Sequence, residues 1–211
     1  MTVRMSLPEN VSVPELLRSL GFSVRRLAAY PTAAALHSGA VTARNNLRDA
    51  DQTELNAEES RLVSSAVVEV LTDEVYASVS QLSAGALYIV QRNRENDRYR
   101  AAFPQNHSEV LKGSISAEKL SYIKVACDTL SADPTFKALA GDIGNTRTLL
   151  AQLEVQLASH SALEEAERVA EAALAIAAKN AREVFNALAP ALTLLFPGKK
   201  VLVRSFFRGN R

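Results

Sequence analysis

The sequence predicts an all-α protein, an elongated helical bundle built on two long antiparallel helices with shorter packing helices. Residues 145–189 contain no Gly and no Pro, and 13 of these 45 residues are Ala. A second stretch without Pro runs from residue 53 to residue 103 and carries apolar residues at helical spacing. Helices of this length need a partner along most of their surface, and antiparallel pairing buries both apolar faces.

Shorter elements are expected before the long helices. Residues 1–13 predict an extended leader, and Pro14 suits the first turn of a helix that ends before Tyr30-Pro31. Residues 32–48 predict a second short helix. The domain prediction is an extended leader at 1–13, a helical bundle domain at 14–196, and a basic C-terminal tail or small hairpin at 197–211.

The first long helix is predicted at Thr53–Phe103. Acidic residues at its start and arginines between Arg92 and Arg100 complement the helix dipole, and Pro104 ends it. Its apolar face is expected to be formed by Leu55, Leu62, Ala66, Val70, Val75, Val79, Leu82, Ala86 and Ile89.

The second long helix follows a connector with short elements of its own. Ser116 is expected to cap a helix to about Leu130, and Asp133-Pro134 to start a further turn or two. Gly141–Gly144 predicts a break before a cap at Asn145 or Thr146, and Pro190 a kink or an end. Apolar residues then alternate at spacings of three and four, as in a bundle seam. The seam members are Leu149, Leu153, Gln156, His160, Leu163, Glu167, Ala170, Leu174, Ala177, Ala181, Val184 and Leu188.

Small residues predict where the two long helices approach most closely. Around the polar seam members, the apolar face is expected to shift to Leu157, Ala162, Ala166 and Ala170. If Arg100 lies near Thr148, this alanine ladder faces a Ser- and Ala-rich stretch that includes Gly85. The predicted helix-contact residues are therefore Gly85, Ala162, Ala166 and Ala170, because small side chains permit a short interaxial distance.

The sequence shows no catalytic, cofactor-binding or metal-binding pattern. None of the three histidines has a Glu three residues before it, as di-iron bundles require. His160 and Glu164 share a helical face and are expected to be a surface pair, and Cys127 is expected to be a small buried side chain. Gly141–Gly144 lacks the Lys-Ser/Thr of a phosphate-binding P-loop.

A basic segment at the C-terminus is the one candidate binding feature. Residues 199–211 contain Phe206 and Phe207 and no acid, a composition that suits a polyanion such as nucleic acid or an anionic membrane surface. The candidate polyanion-binding residues are Lys199, Lys200, Arg204, Arg208 and Arg211.

These observations predict a non-enzymatic helical-bundle protein that acts as a structural, scaffold or adaptor module through protein–protein interaction. Its expected partner is another protein or itself, as a homo-oligomer, and its expected location is cytoplasmic, without a transmembrane segment. One alternative is a nucleic-acid-binding accessory protein that uses the basic aromatic tail. A second alternative is an enzyme or ligand carrier with a pocket between helices.

Overall fold

The computed structural model describes residues 5–207, which form helices and no strand. Helices α2 and α6 each contain 56 residues. The helices are α1 (Val13–Leu27), α2 (Ala34–Ile89), α3 (Asp97–Ala102), α4 (His107–Val110), α5 (Ala117–Ala132), α6 (Ala140–Leu195) and α7 (Lys200–Ser205), with 3-10 turns at Pro31–Ala33 and Pro134–Leu139. The prediction of an all-α bundle built on two long helices with shorter packing helices is confirmed.

Contacts divide the chain into two compact units, and both long helices contribute to each. The terminal unit contains the described residues up to Glu59 and from Glu165 onwards, and the central unit contains Ser60–Glu164. Each unit has its own cluster of buried apolar side chains, which satisfies the requirement that a helix bury its apolar stripe.

In the central unit, α2 and α6 run antiparallel and are joined by buried polar contacts. The hydroxyl oxygens of Ser78 and Thr146 lie 2.6 Å apart. Farther along, Gln156 Nε2 donates a hydrogen bond of 3.1 Å to Ser64 Oγ. The unit is closed by α3, α4, α5 and the turn at Pro134–Leu139. Its core includes Val75, Val79, Leu82, Ile123, Leu130, Phe136 and Leu153.

In the terminal unit, α1 and α7 pack with the first part of α2 and the last part of α6. Ser23 Oγ on α1 donates a 2.9 Å hydrogen bond to the carbonyl of Phe206. The segment before α1 is also attached, because Leu7 is buried and its backbone exchanges two hydrogen bonds with the Asn186 amide. The core includes Leu16, Leu20, Leu27, Leu47, Phe185, Leu188, Phe206 and Phe207.

The predicted bounds of α2 are wrong at both ends. Residues 32–48 and the predicted Thr53–Phe103 helix are not separate, since one helix runs from Ala34 to Ile89. It then ends where Gln91 and Arg92 adopt φ angles of 57° and 61°, and Arg92 N donates to Leu87 O at 2.7 Å. Left-handed backbone of this kind is usually marked by Gly, and here neither Gly nor Pro signals the end.

The predicted break at Gly141–Gly144 and the predicted cap at Asn145 or Thr146 are also wrong, because α6 begins at Ala140 and contains all of these residues. A helical Gly costs about 1 kcal/mol relative to Ala, and burial of Ile143 and Leu150 in the central core opposes that cost. Pro190 does not end the helix, which continues to Leu195. The caps were predicted correctly at Ser116, which accepts from Lys119 N, and at Asp133, which accepts from Thr135 N.

The long seam of α6 is confirmed by burial. Every predicted member from Leu149 to Leu188 is buried or half-buried, including the polar Gln156, His160 and Glu167. The expected shift of the apolar face is wrong, because Ala162 and Ala166 are exposed, whereas Ala170 is buried. The polar seam members remain on the inner face.

The assumed register of the helix pair is wrong by several turns. It placed Ser78 level with Ala170, but Ser78 contacts Thr146. A Cβ atom on Gly85 would lie 2.8 Å from Leu139 Cδ2, so Gly85 is a close-contact residue with a different neighbour. The physical reason is that α2 ends at Ile89, well before Arg100. The connection between the two long helices therefore runs from Ile89 to Ala140, and this sets their register.

Candidate functional site

The central unit exposes a row of aliphatic side chains on α2. Leu62, Val63, Val67 and Val70 are between 41% and 61% exposed. Leu62, Ala66 and Val70 belong to the apolar face predicted for the bundle core, as does Leu55 earlier on α2, and that part of the prediction is wrong because all four are exposed. The inward positions here are Ser64, Val68 and Thr72. Because two of these three residues are polar, the spacing of apolar residues does not identify the inner face of this stretch.

Leu71, which follows Val70 on α2, lines a shallow depression on the same unit together with Ala151 and Val155 of α6, and the volume of the depression is about 800 Å³. Four polar residues complete its lining, namely Arg147, Thr148, Gln152 and Gln156. Val155 is 71% exposed. We call the combined surface the aliphatic face, defined by Leu62, Val63, Val67, Val70, Leu71, Ala151 and Val155. Apolar side chains exposed as a group mark an interaction site more often than scattered single residues do.

A second cavity in the central unit bears on the enzyme or carrier alternative. It has a volume of about 600 Å³ and lies between α2 and the segment from Leu111 to Ile115. Tyr76 lines it, and its hydroxyl is buried without a hydrogen-bond partner. Burial and then the charge of Asp73 raise the pKa of Tyr76. The lining offers the carboxylates of Glu69 and Asp73 with the hydroxyls of Ser65, Thr72 and Ser114, and it contains no histidine, cysteine or lysine.

A serine, a tyrosine and a histidine form a hydrogen-bonded cluster in the central unit. Ser83 Oγ lies 2.7 Å from Tyr99 Oη and 3.1 Å from His107 Nδ1. A Ser–His pair can generate a nucleophile, but Ser83 is 0% exposed. What the contacts show is that the cluster joins α2 to α3 and α4.

The His107 imidazole makes the stability of this cluster dependent on pH. Burial, and secondarily the positive charge of Arg94, lower the pKa of His107 below its ordinary value. The unfolded chain then binds the proton more readily, so stability falls as the pH is lowered through about 6.5. We expect the Tm to fall on acidification from about pH 7.5 to about 5.5, and less steeply in His107→Gln. Thermal melts of His37→Gln provide the control, and equal slopes in all three proteins would contradict this origin.

The candidate polyanion-binding residues are only partly brought together. Lys199, Lys200 and Arg204 are exposed at or within α7, whereas Arg208 and Arg211 lie outside the described residues. The turn predicted at Pro197-Gly198 is present, with Gly198 at φ 75° and Lys199 N bonded to Phe196 O. It leads into a helix, so neither the predicted hairpin nor an extended tail forms at residues 200–205.

The two tail aromatics do not serve the role that the sequence suggested. Phe206 and Phe207 are 0% and 2% exposed and belong to the terminal core, so neither ring is free to stack on a base. Docking of α7 instead places its cations on the same unit as Arg25 and Arg26, and Arg26 Nε donates to Ser205 O at 3.0 Å. Between Glu15 and Asp49 the chain has five arginines and no acid. The basic residues of α1 and α7 together form the basic surface of the terminal unit.

The remaining candidates lie on α5 and α6. His160 and Glu164 form a contact of 3.5 Å on α6, in which Glu164 is exposed, whereas His160 is half-buried and its Nδ1 has no hydrogen-bond partner. Arg168 bonds the neighbouring Glu165 at 2.6 Å. Cys127 is buried in the central core, and burial raises the pKa of its thiol.

None of the protein-family models, curated proteins and solved structures compared with the chain matches it. Within residues 5–207, no helix combines the length and the apolar character that crossing a membrane requires.

Proposed function

We propose that this protein is a non-enzymatic helical-bundle scaffold that works by protein–protein association, and that the aliphatic face pairs with the same face of a second copy. The observation that carries the proposal is the row of exposed aliphatic side chains next to the depression lined by Leu71 and Val155. Val63, Val67 and Val70 follow the spacing of four and three that packs one helix against another.

Three further features favour a second copy as the partner. The face is built from two rigid helices, so it needs little ordering on association. Its exposed side chains Val63, Val67, Val70 and Val155 are aliphatic, as in the core of an oligomer interface, and Arg147 also lines the depression. A two-fold interface uses one patch twice, and a straight helical row of this kind can pack against its own copy.

Light scattering coupled to size exclusion, run over a wide concentration range, tests the association. We expect the wild type to exceed the monomer mass at high concentration and Val67→Glu to remain monomeric, because a carboxylate at the centre of the face would be desolvated without a partner. Val125 is 53% exposed on α5, outside the face, and Val125→Glu is the matched control that should behave as the wild type. A wild type that stays monomeric at every concentration contradicts the proposal.

The basic surface of the terminal unit favours nucleic-acid binding as a second candidate function. Its support is the docking of α7 beside α1, with Lys199, Lys200 and Arg204 exposed and Arg26 in contact with Ser205. Binding would use phosphate contacts without base stacking, so affinity should fall steeply with salt. We expect Lys200→Gln to weaken the binding of single-stranded oligonucleotides and to reduce the salt slope by about 1. Absence of binding at low salt would exclude this candidate.

A further inference from the structure

The terminal unit contains a pocket lined by three arginines, between α1 and the first part of α2. Its volume is about 300 Å³. Arg18, Gly21, Phe22 and Arg25 follow the spacing that places residues on one face of α1, and Arg44 approaches from α2. The lining is Leu17, Arg18, Gly21, Phe22, Arg25 and Arg44, which contains no acidic side chain.

Gly21 is part of how the pocket is built. A Cβ atom at this position would lie 3.2 Å from Arg44 Nε and 3.8 Å from its guanidinium carbon. The absence of a side chain therefore lets the Arg44 guanidinium lie directly against α1. From sequence, Gly21 only weakens a helix, and its role in admitting a cation could not be predicted.

One nitrogen of the Arg44 guanidinium is unsatisfied in this position. Its Nε atom is out of solvent and has no hydrogen-bond partner. A donor of a charged group held out of water without a partner is costly, and two further arginines in the same lining add repulsion rather than relief. An anion in the pocket would offset this repulsion.

We propose that the pocket lined by Arg18, Arg25 and Arg44 binds a phosphate group carried on a small molecule. A phosphate offers up to two negative charges and several acceptor oxygens, which suits three planar guanidinium groups better than the two oxygens of a single carboxylate. Leu17 and Phe22 give the pocket apolar walls beside the charges. Its volume of about 300 Å³ leaves room for more than the phosphate itself, so a phosphomonoester with a small organic group is the expected ligand class.

Calorimetric titration of the full chain with inorganic phosphate and with phenyl phosphate tests the site. We expect both to bind, phenyl phosphate more tightly, and Arg18→Gln and Arg25→Gln each to weaken binding by about tenfold, the effect of losing one charge-assisted hydrogen bond. Both replaced side chains are exposed, and circular dichroism checks that the variants fold. Arg48→Gln is the matched control, since Arg48 lies one turn beyond Arg44 on α2, is exposed and does not line the pocket.

Two results would overturn the proposal. One is a wild type that binds neither phosphate, and the other is an affinity that Arg18→Gln and Arg25→Gln reduce no more than Arg48→Gln does. If inorganic phosphate binds as tightly as phenyl phosphate, the free ion is the ligand and the proposed small-molecule source is wrong. Phosphate affinity should be unchanged in Val67→Glu, because the aliphatic face belongs to the central unit, so this site and self-association can fail separately.

Discussion

Replacing Phe206 with Ala is expected to lower the free energy of unfolding by about 3–5 kcal/mol. The Phe206 side chain is 0% exposed. The centroid of its ring lies 5.0 Å from the ring centroid of Tyr30 and 5.9 Å from that of Phe196. The substitution removes these contacts and leaves a cavity under α7, which is too short to stay in place without its buried side chains.

Urea unfolding measures the loss, and hydrogen exchange locates it. Val201→Ala is the matched control on the same helix, since Val201 is 83% exposed and its truncation should change stability by less than about 0.5 kcal/mol. Faster exchange should be confined to amides of the terminal unit. A Phe206→Ala protein with the wild-type midpoint would mean that residues 200–207 do not dock as described.

Replacing Thr146 with Val is expected to cost about 1–3 kcal/mol, because it leaves the Ser78 hydroxyl buried without a partner. Thr146 Oγ1 donates to Asp142 O at 2.9 Å and accepts from Ser78 at 2.6 Å, and both side chains are buried. The cost is one of desolvation, since Val has nearly the shape of Thr.

A double-mutant cycle with Ser78→Ala separates this pair from its surroundings. The double variant should cost less than the two single variants together, because it removes both hydroxyls. Thr148→Val, on an exposed face of the same helix, is the control and should be nearly neutral. Strict additivity would show that the two residues are not in contact and that the register of the helix pair differs from the one described.

The fold class, the seam of α6 and the caps at Ser116 and Asp133 could be predicted because each depends on a local pattern. The seam members from Leu149 to Leu188 repeat at nearly 3.5 residues and are buried or half-buried even where they are polar. Ser116 and Asp133 cap their helices because a short side-chain oxygen reaches the free backbone amides of the first turn.

The errors arose where long-range packing overrides local signals. The left-handed residues Gln91 and Arg92 end α2 without any Gly or Pro. Because the end of α2 was predicted too late in the sequence, the predicted register of the helix pair was also wrong. Gly141 and Gly144 lie within a helix because their neighbour Ile143 is buried. On α2, the inward Ser64 and Thr72 reversed the apparent apolar face over that stretch.

The candidate sites were harder to predict than the fold. The basic residues of the C-terminus were recognised, but the burial of Phe206 and Phe207 depends on docking to a segment that lies early in the chain. The arginine pocket combines residues of two helices, and its key position, Gly21, has no side chain at all. Tertiary packing brings these residues together, and the spacing of residues along the sequence does not show which of them will meet.

The division of the chain between the two units has a consequence for the order of folding. The central unit is one continuous segment, Ser60–Glu164, whereas the terminal unit joins segments from both sides of it. The Ser23–Phe206 hydrogen bond spans 183 residues of chain, whereas the Ser83–Tyr99 bond spans 16. Closing the larger loop costs more entropy and waits for more of the chain to be synthesised. We therefore expect the central unit to form first during synthesis and the terminal unit to complete only when α7 arrives.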